Sequence, residues 1–370
     1  MKYLLVAAAT LMLTLIGGCQ KQSCPQTPQI PEKAVEPIGK VLISPQFDSA
    51  LPFSGGLAAV RLPVAQIERW GFINKQGKIQ IKPQFESVLP FNEELAAVRL
   101  VDGKTAKWGF INTLGAQVIG AQFDAVMSFK EGLAAVRMGD DKTGKWGFIN
   151  KLGHIVVTPQ FVAAESFREG LAAVSLGNGK WGFIDKQGKF IIQPQFGQAT
   201  PFREGLAAVL ISTGTTSKWG FIDKLDKTVI AAQFDEADAF SEGFAKVKVG
   251  GAQGKWGFIN KQGKTIIEPQ FDEVDAFSEG LAAVRLGENW GFIDKQGKIV
   301  IHPQFDLVWP FSEELAAFRI GDDHTGKWGF IDQQGKIVIN PQFHRVSRFA
   351  EGLTAVQLGR SDGKSGFLSR

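Results

Sequence analysis

The sequence predicts an all-β fold made of about nine tandem three-stranded repeats, and three observations carry that reading. First, Trp-Gly recurs at Trp70, Trp108, Trp146, Trp181, Trp219, Trp256, Trp290 and Trp328, with a worn ninth copy at Ser365-Gly366-Phe367. The steps between copies are 38, 38, 35, 38, 37, 34, 38 and 37 residues, the signature of one small unit stacked many times. Second, 27 of the 30 Phe residues fall in three recurring slots, so the aromatic residues follow the same period as the Trp-Gly pairs. Third, each unit consists of short β-branched and aromatic runs separated by Gly-containing polar turns, too short for helices.

In chain order, residues 1–18 come first. Lys2 precedes an apolar run from Leu4 to Ile16, the pattern of a secretion signal and too short for a comfortable membrane span. It ends in Leu15-Ile16-Gly17-Gly18-Cys19, which resembles the lipobox of bacterial lipoproteins. That resemblance implies cleavage before Cys19, acylation of Cys19, and export to a membrane. Gln20, where an Asp is absent, resembles an outer-membrane address in a two-membrane bacterium. Residues 19–38 carry Pro25, Pro28, Pro31 and Pro37 and read as an extended tether. Cys24 is the only other cysteine, so with Cys19 acylated no intramolecular disulfide framework can form.

The repeat region is expected to span residues 39–370 as one domain, because no linker interrupts the period. The leader takes only Lys2 from 41 basic residues, leaving 40 against 37 acidic ones; so small a balance gives no argument for nucleic acid.

The unit beginning at Trp256 represents the others. Trp256-Gly-Phe-Ile-Asn260 and Thr265-Ile-Ile-Glu-Pro-Gln-Phe271 flank a turn that opens on Asn260 and closes on Gly263, a hairpin signature. Leu281-Ala-Ala-Val-Arg-Leu286 forms the third strand, with Ala282 and Ala283 allowing close approach of a neighbouring unit. The three Phe slots are after Trp-Gly (Phe258), after Pro-Gln (Phe271) and before the Glu-Gly turn (Phe277). Aromatic residues copied in every unit read as seam-filling core. Gly after Trp reads as a site of close backbone approach.

These residues resemble the WG-repeat family of bacterial β-repeat proteins, from about Gly39 to Phe367. The resemblance implies an all-β repeat array and little about activity.

The array starts in mid-hairpin, at Gly39-Lys-Val-Leu-Ile-Ser-Pro-Gln-Phe47, and stops with the other half, Ser365-Gly-Phe-Leu368. An open superhelix or solenoid would leave two exposed edges, whereas a closed ring would join the halves as propellers do. The closed, propeller-like ring is preferred.

No catalytic constellation appears. His154, His302, His324 and His344 each occupy a slot filled by ordinary polar residues elsewhere, and no pair has metal-ligand spacing. The repeated Glu of Phe-x-Glu-Gly (Glu131, Glu169, Glu204, Glu242, Glu279, Glu351) reads as a turn residue. No phosphate loop or nucleophile elbow is present. A non-catalytic protein without cofactor or metal is therefore expected.

Function should lie where the units differ. The slot two residues before the third Phe reads Leu51, Leu89, Met127, Glu165, Thr200, Asp238, Asp275, Trp309 and Ser347. Trp309 is the one Trp outside the Trp-Gly series. In a ring, Trp309, Leu51, Leu89 and Met127 would form an apolar arc opposite an acidic one, a candidate protein-docking patch. The alternative is that these side chains pack beneath a loop. The expected partners are a membrane, reached through the lipid, and an envelope protein; a cell-wall glycan is the alternative ligand, although the mature chain has no Tyr.

Overall fold

The computed structural model describes residues 39–370 apart from 103, 104, 215, 361 and 362. The predicted leader and tether, with Cys19 and Cys24, lie outside the described residues.

The described residues form nine small antiparallel sheets arranged as the blades of a closed propeller. Blade 1 shows the pattern: a two-residue strand Ser49–Ala50, then Leu57–Val64, Ile67–Asn74 and Ile79–Phe85, paired in that order. The three predicted strands are all present, and a fourth, the two-residue piece, pairs with the first of them at the edge of the sheet. In blade 5 this piece shrinks to a single bridge, Ala199 with Val209, leaving a three-stranded sheet. The fourth strand arises because the chain runs on from Phe85 through Glu86, whose N–H already bonds to Arg99 O of the next blade at 3.0 Å. One continuous extended segment thus ends one blade and begins the next.

The turns follow their sequences. In the first hairpin Asn74 Oδ1 accepts the N–H groups of Gln76 and Lys78, while Gly77 takes φ +76°. The two-residue turn before each second strand is of type I′, as at Glu131 (φ +53°) and Gly132 (φ +85°). Glu has no intrinsic liking for that left-handed conformation, which costs on the order of 1 kcal/mol; its compensation lies between blades, as described below.

The Trp-Gly pair is explained by a bulge. Trp70 pairs with Phe85 and Phe72 with Ile81, so one residue faces three. The bulged segment runs across Gly71, where an added Cβ would lie 2.6 Å from Ile81 O and 2.7 Å from Pro83 N. Pro83 sits at the bulge, where no ladder N–H is required.

Side chains alternate along each strand, so each sheet packs on both faces. Ala58, Val60 and Ile73 of blade 1 join the core shared with blade 9, whereas Leu57, Ala59 and Phe72 join the core shared with blade 2. Each of the nine seams has such a core, and each holds an edge-on or tilted Phe pair at 4.8–5.1 Å, from Phe72–Phe91 round to Phe330–Phe349. The ninth pair, Phe53–Phe367 at 5.0 Å, is built from the two ends of the chain. Val41–Phe47 pairs with Ser365–Ser369 to complete blade 9. Closure therefore reproduces an ordinary seam, and the ring excludes the open superhelix.

Candidate functional site

The innermost position in the ring is fixed by a cleft of about 270 Å³ lined by Asp238, Asp275, Pro310 and Arg348. These residues come from four successive blades, 6 to 9, and each follows closely on the two-residue strand of its blade. Four successive blades can share one cleft only at the axis, so the two-residue strands form the wall of a central channel.

The variable slot sits on that wall. Each slot residue donates its N–H to the second strand of its own blade, from Leu51 to Ala59 O through Trp309 to Ala317 O and Ser347 to Ala355 O, at 2.9 Å in eight blades and 3.2 Å at Asp238. Backbone geometry is thus constant while the side chain varies. Leu51, Leu89 and Met127 are partly buried, each packed against the core of its seam, and Ser166 Oγ lies 3.6 Å from Met127 Sδ. Trp309 is different. It is 38% exposed, tilted against Trp328 at 6.0 Å, with the Arg348 guanidinium 5.6 Å from its ring centre. Around the ring the order is Trp309, Ser347, Leu51, Leu89, Met127, so the arc is continuous except for Ser347.

The acidic side of the channel comprises Glu165, Asp238 and Asp275. Burial raises the carboxyl pKa of Glu165. Burial also raises that of Asp275, against the pull of Lys246 and Arg348. Lys246 Nζ lies 3.5 Å from Asp238 Oδ2 and 5.5 Å from the ring centre of Trp256. The sequence reading missed both Lys246 and Arg348. Lys246 was detectable as the third residue of Phe244-Ala-Lys-Val, where every other unit carries Ala, and Arg348 follows the slot where other units carry Pro, Ser or Ala.

The Glu-Gly turns lie on one face of the ring, beside the channel, and bind blade to blade. Glu93 accepts from Gly132 N at 3.0 Å, Glu131 from Gly170 N at 2.9 Å and Glu351 from Gly56 N at 3.1 Å, closing the circle across the chain ends. A Lys of the same following blade supports these three carboxylates, Lys151 on Glu93 at 3.3 Å, Lys186 on Glu131 at 3.3 Å and Lys75 on Glu351 at 3.1 Å, whereas at Glu279 Gln333 stands in the Lys position. The charged Glu is therefore held in its left-handed turn by its neighbour. Burial works against ionisation of Glu93, but the Gly132 N–H and the Lys151 ammonium outweigh it, and its pKa is lowered. Glu169 and Glu204 are lowered by the same balance. Blade 1 breaks the series, because Gly55 stands in the Glu position.

On the opposite face, Lys107, Lys218 and Lys255 pair with Asp124, Asp235 and Asp272 of the next blade. The four His are scattered among separate blades, and Lys327 Nζ meets His344 Nε2 at 2.8 Å. Among the described residues no group of His, Cys, Asp and Glu could hold a metal ion. Six of the eight Trp-Gly indoles are partly buried, and Trp290 and Trp328 are buried.

Comparison with known proteins agrees with this architecture. The family described as "WG containing repeat" matches nine segments: residues 35–62, 70–104, 108–142, 146–181, 181–212, 219–251, 256–290, 290–322 and 328–360. No curated protein sequence matches the chain. Among solved structures, one titled as the eukaryotic initiation factor is similar in fold, with TM-score 0.54 and 13% identity over 85% of this chain and 96% of that one. Kluyveromyces lactis Hsv2p gives TM-score 0.40 and 12% identity over 77% of this chain and 96% of that one. At 13% identity the likeness to the first of these concerns fold alone. With most of its length matched by nine copies of one repeat, the chain belongs to the WG containing repeat family.

Proposed function

We propose that this protein is a non-catalytic, lipid-anchored component of a bacterial cell envelope whose propeller docks a protein partner at the channel. The anchor reading rests on the apolar leader ending in Gly17-Gly18-Cys19, and the outer-membrane address on Gln20. The docking reading rests on one observation above the rest: Trp309, the Trp outside the repeat, is exposed at the axis beside Arg348 while the repeat indoles are at least partly buried. Trp and Arg at the centre of a patch are the residues that most often dominate a protein interface. Leu51, Leu89 and Met127 extend the apolar edge around the ring from there.

In-cell cross-linking of the full chain, read by mass spectrometry, tests the reading when the wild type is compared with Trp309→Ser. Loss of a reproducible protein partner, at unchanged melting temperature, supports docking; a Trp anchor at an interface centre is worth about 2 kcal/mol or more, roughly 30-fold in affinity. Equal recovery of the same partner by both proteins contradicts it. A second reading, a cell-wall glycan stacked on Trp309, is favoured by the exposed indole lying one blade from the Asp275 carboxylate. Enrichment of cell-wall fragments in place of a protein would decide for that reading.

A further inference from the structure

Blade 9 departs from the other eight at three adjacent positions. Ser365 stands where the others carry the Trp of Trp-Gly. Gln357, paired with Ser365, stands where blade 1 has Arg61 paired with Trp70. Arg345, paired with Gln357, stands where blades 6 and 7 carry Glu236 and Glu273. In those blades the set is self-contained. Glu236 holds Lys248 at 2.9 Å and Glu273 holds Arg285 at 2.6 Å, and Lys248 lies 5.9 Å from the ring centre of Trp256. Blade 9 has neither the indole nor the cation above it, and it reverses the charge on the first strand.

The space left open is a cleft of about 440 Å³ in the closing seam, between blades 9 and 1. Its volume falls within the range of small-molecule sites. Gln357 and Ser365, 9% and 6% exposed, give it a neutral polar floor. The Gln357 amide is fixed by donating to Gly363 O at 2.6 Å. Asp48 and Arg61 contribute from blade 1, and both are engaged, Asp48 by Lys364 and Arg61 by Glu68 at 3.0 Å. Arg345 and Arg360 also line the cleft, and among the described residues neither has a carboxylate partner. Two guanidinium groups over a polar floor, with the one lining carboxylate already neutralised, match an oxyanion that can take paired N–H donors.

We infer that the closing cleft is a binding site for a small oxyanion ligand, a carboxylate or a phosphate, held by Arg345 and Arg360. The site adjoins the channel wall and shares Ser347 with the variable slot, but Arg345 and Arg360 are not part of the docking arc, so it does not depend on the docking reading. Its lining sets it apart: a cleft of about 350 Å³ also opens between blades 5 and 6, but Trp219 and Trp256 line that one, where Ser365 stands here.

Calorimetric titration of the full chain with N-acetylglutamate and, separately, with inorganic phosphate tests the inference. Saturable binding of either probe is expected, and which probe binds identifies the carboxylate or the phosphate source. The double substitution R345Q/R360Q should weaken that binding at least tenfold without changing the melting temperature. S365W, which restores the residue found in the other blades, should do the same by filling the cleft. R137Q in blade 3, where Trp146 is present, should bind as the wild type does. The inference is overturned by absence of saturable binding up to about 10 mM probe, by wild-type binding in R345Q/R360Q, or by an equal loss in R137Q.

Discussion

Gly71 is the residue on which the repeat turns, since the bulged strand passes over it with backbone on both sides. A methyl group at that position has no flexible neighbour to push aside. Gly71→Ala is expected to destabilise the protein by about 1–3 kcal/mol in denaturant unfolding, the ordinary cost of overpacking. Gly120→Ala, where an added Cβ meets only the far end of Gln117 at 3.9 Å, should be neutral or mildly stabilising. The turn carboxylates make a second residue-scale prediction, in pH. Glu93, Glu169 and Glu204 have folded pKa values below their ordinary 4.5, so their contribution is complete above that value and is lost as pH falls through the lower folded values. Replacing all three by Gln should lower the melting temperature at pH 7 and flatten its fall between about pH 5 and pH 3. Glu165 has the opposite sign: burial raises its pKa, so ionisation opposes folding, and Glu165→Gln should raise the melting temperature at pH 7. The variable slot was legible from the sequence because one backbone hydrogen bond repeats in every unit and keeps its spacing fixed. Arg348 and Lys246 stand out in the sequence as departures from the repeat, but nothing local tells that a residue just after the slot, or one on the next strand, meets it at the axis.

At the scale of the element, a blade is stable because both of its faces are covered. Phe148 is fully buried and meets Phe167 of the next blade edge-on at 4.8 Å. Phe148→Ala should cost about 3–5 kcal/mol, the usual range for deleting a core ring. The hairpin from Trp-Gly to Pro-Gln-Phe could be read from the sequence because its turn chemistry is local: an Asn or Asp side chain caps it and a Gly closes it. The two-residue inner strand could not. Ser49–Ala50 carries no apolar alternation, and its pairing is set by the preceding blade, whose last strand delivers it to its partner. The closing cleft escaped for a related reason. Ser365 was visible as a worn Trp, but its meaning depends on Gln357 and Arg345, which become its neighbours only through strand pairing.

For the whole molecule, the split hairpin decides the shape. A chain that starts with the last strand of a blade and ends with the strand before it has its two complementary edges at opposite ends of the sequence. Joining them buries the Phe53–Phe367 pair and forms the surface clasp from Glu351 to Gly56. Nine equivalent seams then make one rigid ring on which Trp309 and the closing cleft are fixed in relation to each other. Hydrogen exchange of the intact full chain tests that closure most directly. The closed ring predicts that amides of Ser365–Ser369 are protected to the same degree as those of an internal strand such as Lys145–Asn150. Rapid exchange of Ser365–Ser369 and Val41–Phe47, with the internal strands still protected, would show open ends and contradict the ring.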